Sequence, residues 1–133
     1  MKVDDYRSLK IMHFAMCIGL MMMLLVFVLF AKEGGFSFQI STTPDLYLIL
    51  GAVLALYGVL VSQIVFNNMM GETFSNEKDP AEKLRAAYVF RWALLEGPGL
   101  VNVVFFILSD NFMNVFLALF MWCIMLLARP QLL

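Results

Sequence analysis

The sequence is short of charge. Asp, Glu, Lys and Arg together make up 14% of its 133 residues, against 62% hydrophobic residues, and its mean hydropathy is +0.87. A water-soluble domain of this size needs far more polar surface, so the composition points to a single integral membrane domain over residues 1–133. It also lacks excess positive charge. A formal net charge of −1, a pI near 5.7 and the absence of a basic stripe argue against nucleic acid as a partner. His13 is the one histidine, which excludes a bis-histidine haem or a histidine-rich metal site within one chain. Cys17 and Cys123, the two cysteines, lie in apolar runs and form no CxxC. They read as small buried apolar residues rather than redox groups. There is no Ser-His-Asp set, no paired carboxylates and no glycine-rich phosphate loop; "GETFSNE" (71–77) is too short and too ordinary to be one. The expectation is a protein that is not an enzyme and binds no cofactor and no metal.

No segment alternates apolar and polar residues with a period of two, which excludes a membrane barrel and leaves helices. Four apolar runs, residues 11–31, 46–66, 86–108 and 112–128, are long enough to cross a bilayer, which takes about 20 residues. The last is at the short end. The predicted fold is all-α, a polytopic membrane four-helix bundle. Lys2, Arg7 and Lys10 precede the first run, Lys78, Lys83 and Arg85 lie between the second and third, and Arg129 follows the fourth, whereas the other connections offer only Lys32. This bias puts both termini and the second connection in the cytoplasm.

The connections carry local signals. In "KEGGFSFQISTTPD" (32–45) two glycines stop a helix and "STTPD" reads as an N-cap region. The second connection, "NNMMGETFSNEKDPAEKLR" (67–85), ends in a helix start, with Asp79 as cap, Pro80 at the first helical position and Glu82 in the first turn. The third is only "SDN" (109–111), so the third and fourth helices form a tight antiparallel hairpin.

Polar residues are costly in lipid and mark where a membrane bundle does its work. His13, Gln63 and Arg91 fall in the cytoplasmic third. His13 reads as an interfacial residue, and Arg91 as a cation snorkelling to the headgroups. Asn102 and Asn114 fall in the outer third on the two arms of the hairpin, where a contact between them would join the helices. Met21, Met22 and Met23 read as packing, because consecutive residues point in different directions around a helix. The exception is "LLEGPGL" (94–100), which sets Glu96 near the midplane directly before Gly97, Pro98 and Gly99. A carboxylate there costs several kcal/mol unless it is protonated, paired or wetted. Five residues separate it from Arg91, about 500° of rotation, which leaves the two about 140° apart on a regular helix. Pro98 removes one backbone bond, and the flanking glycines permit a kink or unwound turn. Such a helix break would let Glu96 meet Arg91. Tyr57, a second copy of the chain or water are the other groups that could lie opposite it.

The segment "RWALLEGPGLVNVVFFIL" (91–108) resembles the acid-bearing helix of rotary ATPase proteolipids, in which a midmembrane Glu or Asp follows "AL" or "TL" and precedes small residues and an aliphatic-aromatic run. Glu96 would match the ion-carrying carboxylate. Over most of its length the chain resembles a group of uncharacterised small four-span bacterial inner-membrane proteins. The matching residues are Arg91, Ala93, Leu94, Glu96, Gly97 and Pro98 of "R-x-A-L-x-E-G-P", the "SDN" turn, and the final Arg129-Pro130. That resemblance implies a bacterial inner (plasma) membrane location and brings no activity.

Two functions are expected. In the first, the protein is a self-associating or accessory subunit of a membrane assembly, with the lipid bilayer and either a homo-oligomer or other membrane subunits as partners. Gly51, Ala55 and Gly58, at i, i+4 and i+7, and Gly97 and Gly99 would offer close-approach positions. In the second, Glu96 makes the protein a proton- or cation-coupled small transporter or channel. The first apolar run is too long for a signal peptide and lacks a small-x-small site before "KEGG", so it should be retained. N-terminal sequencing of the purified protein is expected to start upstream of this run; a start near Phe36 would refute it.

Overall fold

The computed structural model describes residues 3–33, 45–75, 80–109 and 111–130. They form four helices, α1 (Val3–Glu33), α2 (Leu46–Ser75), α3 (Pro80–Ser109) and α4 (Met113–Leu127). The first three are long and apolar enough to cross a membrane, and α4, with 15 residues, is shorter.

Three helices outrun the apolar segments that announce them. α1 begins at Val3, ahead of the run at 11, α2 continues to Ser75, past 66, and α3 starts at Pro80, where "DPAEK" signals a helix start ahead of the run at 86. Hydropathy marks where apolar side chains end, whereas backbone bonding continues through polar residues that support a helix locally. Asp4 and Asp5 sit in the first turn of α1, where acids complement the helix dipole. Gln63 donates to Asn67 one turn on, at 3.3 Å. Much of the expected second connection is therefore helix.

The helix starts follow the sequence signals. The Asp45 carboxylate accepts the Leu48 amide at 2.6 Å and its carbonyl accepts the Ile49 amide at 3.1 Å, which caps α2. Pro80 opens α3 and Glu82 lies in its first turn; the expected cap, Asp79, lies outside the described residues, as does the first connection up to residue 44. Between α3 and α4, Ser109 donates to the Phe105 carbonyl at 2.7 Å and accepts the Asn111 amide at 3.3 Å. Asn111 Oδ1 then accepts the Met113 amide at 3.1 Å. These bonds close the tight hairpin.

α3 touches all three other helices, and α4 touches α1 and α2, but among the described residues α1 and α2 do not meet. In cross-section the helices form a rhombus with α3 and α4 on the short diagonal. α3 accordingly buries Leu84, Tyr88, Trp92, Leu95, Asn102 and Phe106 along its length. The core has one part around Leu9, Leu20, Trp92, Leu95, Met121 and Met125 and another around Leu24, Val103, Phe106, Val115 and Ala118. Cys17 joins the first part, but Cys123 is exposed, contrary to expectation. On α4 the buried stripe runs through Asn114, Ala118, Met121 and Met125, and residue 123 is about 200° around the helix from 121.

Glycine sets how closely α2 approaches. A Cβ on Gly58 would stand 2.7 Å from the Leu94 carbonyl oxygen and 2.7 Å from Pro98 Cγ. A Cβ on Gly51 would overlap Asn102 Oδ1 and lie 2.9 Å from Asn114 Nδ2. Gly51, Ala55 and Gly58 are therefore used up against α3 and α4, not left for a second copy. Gly99 faces Leu20 of α1, at 3.2 Å from the site of its missing Cβ, while Gly97 has open space beside it.

The unwound turn expected at Gly97, Pro98 and Gly99 does not occur, because α3 stays helical through Pro98. Proline removes only the bond to the Leu94 carbonyl and crowds that oxygen. Here the oxygen faces Gly58 of α2.

Gly51→Ala and Gly58→Ala should each lower stability in detergent by about 1–3 kcal/mol through overpacking. Gly19→Ala and Gly71→Ala, with nothing within 4 Å of the new methyl, should be neutral or gain up to about 1 kcal/mol from helix propensity. Unfolding midpoints of the four variants test this, and equal shifts would contradict it.

Candidate functional site

The polar residues fall into two layers, one at each end of the α3–α4 pair. Asn102 on α3 and Asn114 on α4 occupy the layer near the hairpin, both fully buried. Asn114 Nδ2 donates to Asn102 Oδ1 at 3.1 Å, the contact expected across the hairpin. Asn102 Nδ2 donates to the carbonyls of Pro98, at 2.9 Å, and of Gly51 on α2, at 3.2 Å. Asn114 also reaches the Tyr47 carbonyl, at 3.4 Å. Three helices thus meet through two amides, and one lone acceptor, Asn114 Oδ1, is buried without a partner.

The second layer lies where α1 begins and α4 ends. A helix leaves its last carbonyls unbonded, and here other helices supply donors. His13 Nε2 donates to the Met125 carbonyl at 2.7 Å, and Trp92 Nε1 to the Ala128 carbonyl at 2.7 Å. The Ala128 amide closes on Ile124 at 2.9 Å. Trp122 returns a bond from α4 to the Cys17 carbonyl of α1, at 3.0 Å. His13 is buried between helices. Its ring lies 5.0 Å from that of Trp92, which continues through Tyr88 at 5.6 Å to Phe66 at 4.9 Å. Trp92 and Trp122 were not singled out in the sequence. The signal available was an indole N–H inside an apolar run, which needs a partner when buried.

Arg91 stands over the Phe66 ring at 4.8 Å and donates from Nη2 to Gln63 Oε1 at 3.2 Å. Its Nε is buried without a hydrogen-bond partner. The structure therefore joins Arg91 to Gln63 of α2, and does not join either to Glu96. Tyr57 is 61% exposed and points away from the interior. On α3, Trp92 lies against His13 and Gly99 faces Leu20, so both mark the side turned to α1. Glu96 lies between them, at i+4 from the first and i−3 from the second. Arg91 faces α2. With α3 unbroken, the rotation between the acid and Arg91 remains, and Glu96 has no hydrogen bond or ion pair among the described residues.

Comparison with protein-family models, with curated proteins and with solved structures finds no match to this chain.

A double-mutant cycle on Asn102→Ala and Asn114→Ala should give a favourable coupling of about 0.6–1.7 kcal/mol, the range for interhelical polar pairs. Additive effects in detergent unfolding would mean that the amides do not act together.

Proposed function

We propose that the chain is a small non-enzymatic integral protein of the bacterial plasma membrane, with four spans and cytoplasmic termini, serving as a self-associating or accessory subunit of a membrane assembly. One observation carries this reading. The buried polar side chains, His13, Ser62, Asn102, Asn111 and Asn114, each hold a backbone carbonyl or amide, or another side chain, of the same chain. His13, Asn102 and Asn114 bond between helices, and Ser62 and Asn111 bond within their own segment. Exposed apolar residues such as Ile49, Val53, Leu56 and Leu60 on α2, and Ile11, Ile18, Leu25 and Leu29 on α1, suit contact with lipid or another membrane subunit. α4 spans about 22 Å, short of a hydrocarbon core of about 30 Å, and a short helix favours local thinning of the bilayer or association. The Lys and Arg distribution supports the cytoplasmic placement of both termini.

Glu96 favours a second reading, as a proton- or cation-coupled transporter or channel element. It is half-buried, it is the one acid within the apolar stretches, and it has no hydrogen bond or ion pair among the described residues. This accords with the resemblance of its helix to the proteolipid acid helix.

Native mass spectrometry of the chain released from its own membranes tests the first reading. A homo-oligomer or a stable larger complex is expected, and monomer alone would count against it. Glu96→Gln separates the two. As a structural subunit the variant assembles normally while Glu96→Leu disturbs assembly. As a carrier, Glu96→Gln abolishes cation-dependent flux in proteoliposomes, and unchanged flux would rule that role out.

A further inference from the structure

Where α1 begins and α4 ends, the two helices leave a cleft of about 1030 Å³ between them. Arg7 and Lys10 of α1 and Arg129 beyond α4 line it, and no acidic side chain does. Deeper along α1 its wall turns apolar, with Ile11 and Phe14, 63% and 67% exposed, opposite Leu126 of α4. The order follows from helix geometry: positions 7, 10, 11 and 14 share one face, so a single stripe passes from cations to hydrocarbon within two turns.

The cations of this cleft are uncommitted. Arg85 pairs with Asp5 at 3.3 Å, and Arg91 with Gln63 and Phe66. Arg7 and Arg129, by contrast, have no ion pair, hydrogen bond or ring contact among the described residues. Lys10 rests only on the Tyr6 ring, at 5.6 Å from its centre. Asp5 is drawn off by Arg85, which leaves Asp4, exposed, as the other acid at this end of α1.

We propose that this cleft binds one anionic glycerophospholipid, with its phosphate against Arg7, Lys10 and Arg129 and an acyl chain along Ile11, Phe14 and Leu126. Basic pockets between membrane helices on the cytoplasmic side are suited to such headgroups. A free phosphate ion would engage the cations but leave the apolar wall bare. A zwitterionic lipid would fill the wall but leave the cleft's positive charge uncompensated. The proposal rests on the chain spanning a membrane, and it goes beyond that reading by naming a bound lipid and its site.

The test uses the full chain in nanodiscs of phosphatidylcholine with phosphatidylglycerol, released into native mass spectrometry. One phosphatidylglycerol per chain is expected to stay bound. Arg7→Gln and Arg129→Gln should each weaken retention about fivefold, the worth of one charge near a lipid surface, and Lys83→Gln, outside the cleft, should leave it unchanged. Arg7→Lys should keep most of it, which guards against a folding defect. Retention unaffected by the Gln variants, equal loss with Lys83→Gln, equal retention of phosphatidylcholine, or displacement of the lipid by inorganic phosphate would each overturn the proposal. Alkaline carbonate washing of membranes separates the two readings. A chain extracted by carbonate refutes the membrane-spanning reading itself. One that stays in the membrane but holds no anionic lipid refutes only the cleft.

Discussion

The bundle depends on how closely the backbone of α2 can lie against α3. At Gly58 and Gly51 there is no room for a methyl group. That proximity allows the side chains of Asn102 and Asn114 to reach backbone carbonyls of α2, at Gly51 and Tyr47. It also puts Gly58 against the carbonyl that Pro98 leaves unbonded. A larger residue at either position would push α2 away and strand two amides and a carbonyl oxygen together, so packing and polarity fail as one unit. In an apolar surrounding an unbonded polar group is expensive, which makes this coupling stricter than it would be in water.

The opposite end of the bundle applies the same logic to a helix terminus. α4 is short, and its final carbonyls would end among apolar side chains. His13 from α1 and Trp92 from α3 supply the missing donors, and their rings meet at a tilt, 5.0 Å between centres. This clasp ties α1 and α3 to the end of α4, while Gly51 and Gly58 bring α2 against α3 and α4. α1 and α2, which never meet among the described residues, are each held to the α3–α4 pair by a different device, a polar clasp on one side and a glycine seam on the other.

Much of this was legible in the sequence. The apolar runs, the short "SDN" turn and the depth of the two asparagines were enough to predict four helices, a tight hairpin and a contact between Asn102 and Asn114. The extra length of α1 and α2 was missed because hydropathy reports apolar side chains, not backbone bonding, whereas the start of α3 at Pro80 was legible in "DPAEK". The Pro98 region was misread because the consequence of a proline depends on the neighbouring helix, and nothing local to "LLEGPGL" shows that Gly58 receives the freed carbonyl. The glycine stripe of α2 was recognised as a close-approach surface but assigned to a second copy, since a stripe of small residues carries no label for its partner. The cleft at Arg7, Lys10 and Arg129 joins residues more than a hundred positions apart and needed the fold to bring them together.

An unbroken α3 gives Glu96 a different meaning from a broken one. A kink would have allowed Arg91 to neutralise it within the chain. Instead the helix turns the two groups to different neighbours, and Arg91 is occupied by Gln63 and the face of Phe66. The acid lies on the side of α3 that meets α1, near Gly97, where space is open. Since no described residue bonds it, water, a cation or another subunit is left to satisfy it. In the proposed membrane setting, an accessory subunit and a carrier therefore share one structural requirement, a group brought to the α1–α3 edge. They differ in whether that group stays. A subunit contact would hold the acid permanently, while a transported ion must bind and leave, and only the second makes an unpaired carboxylate useful.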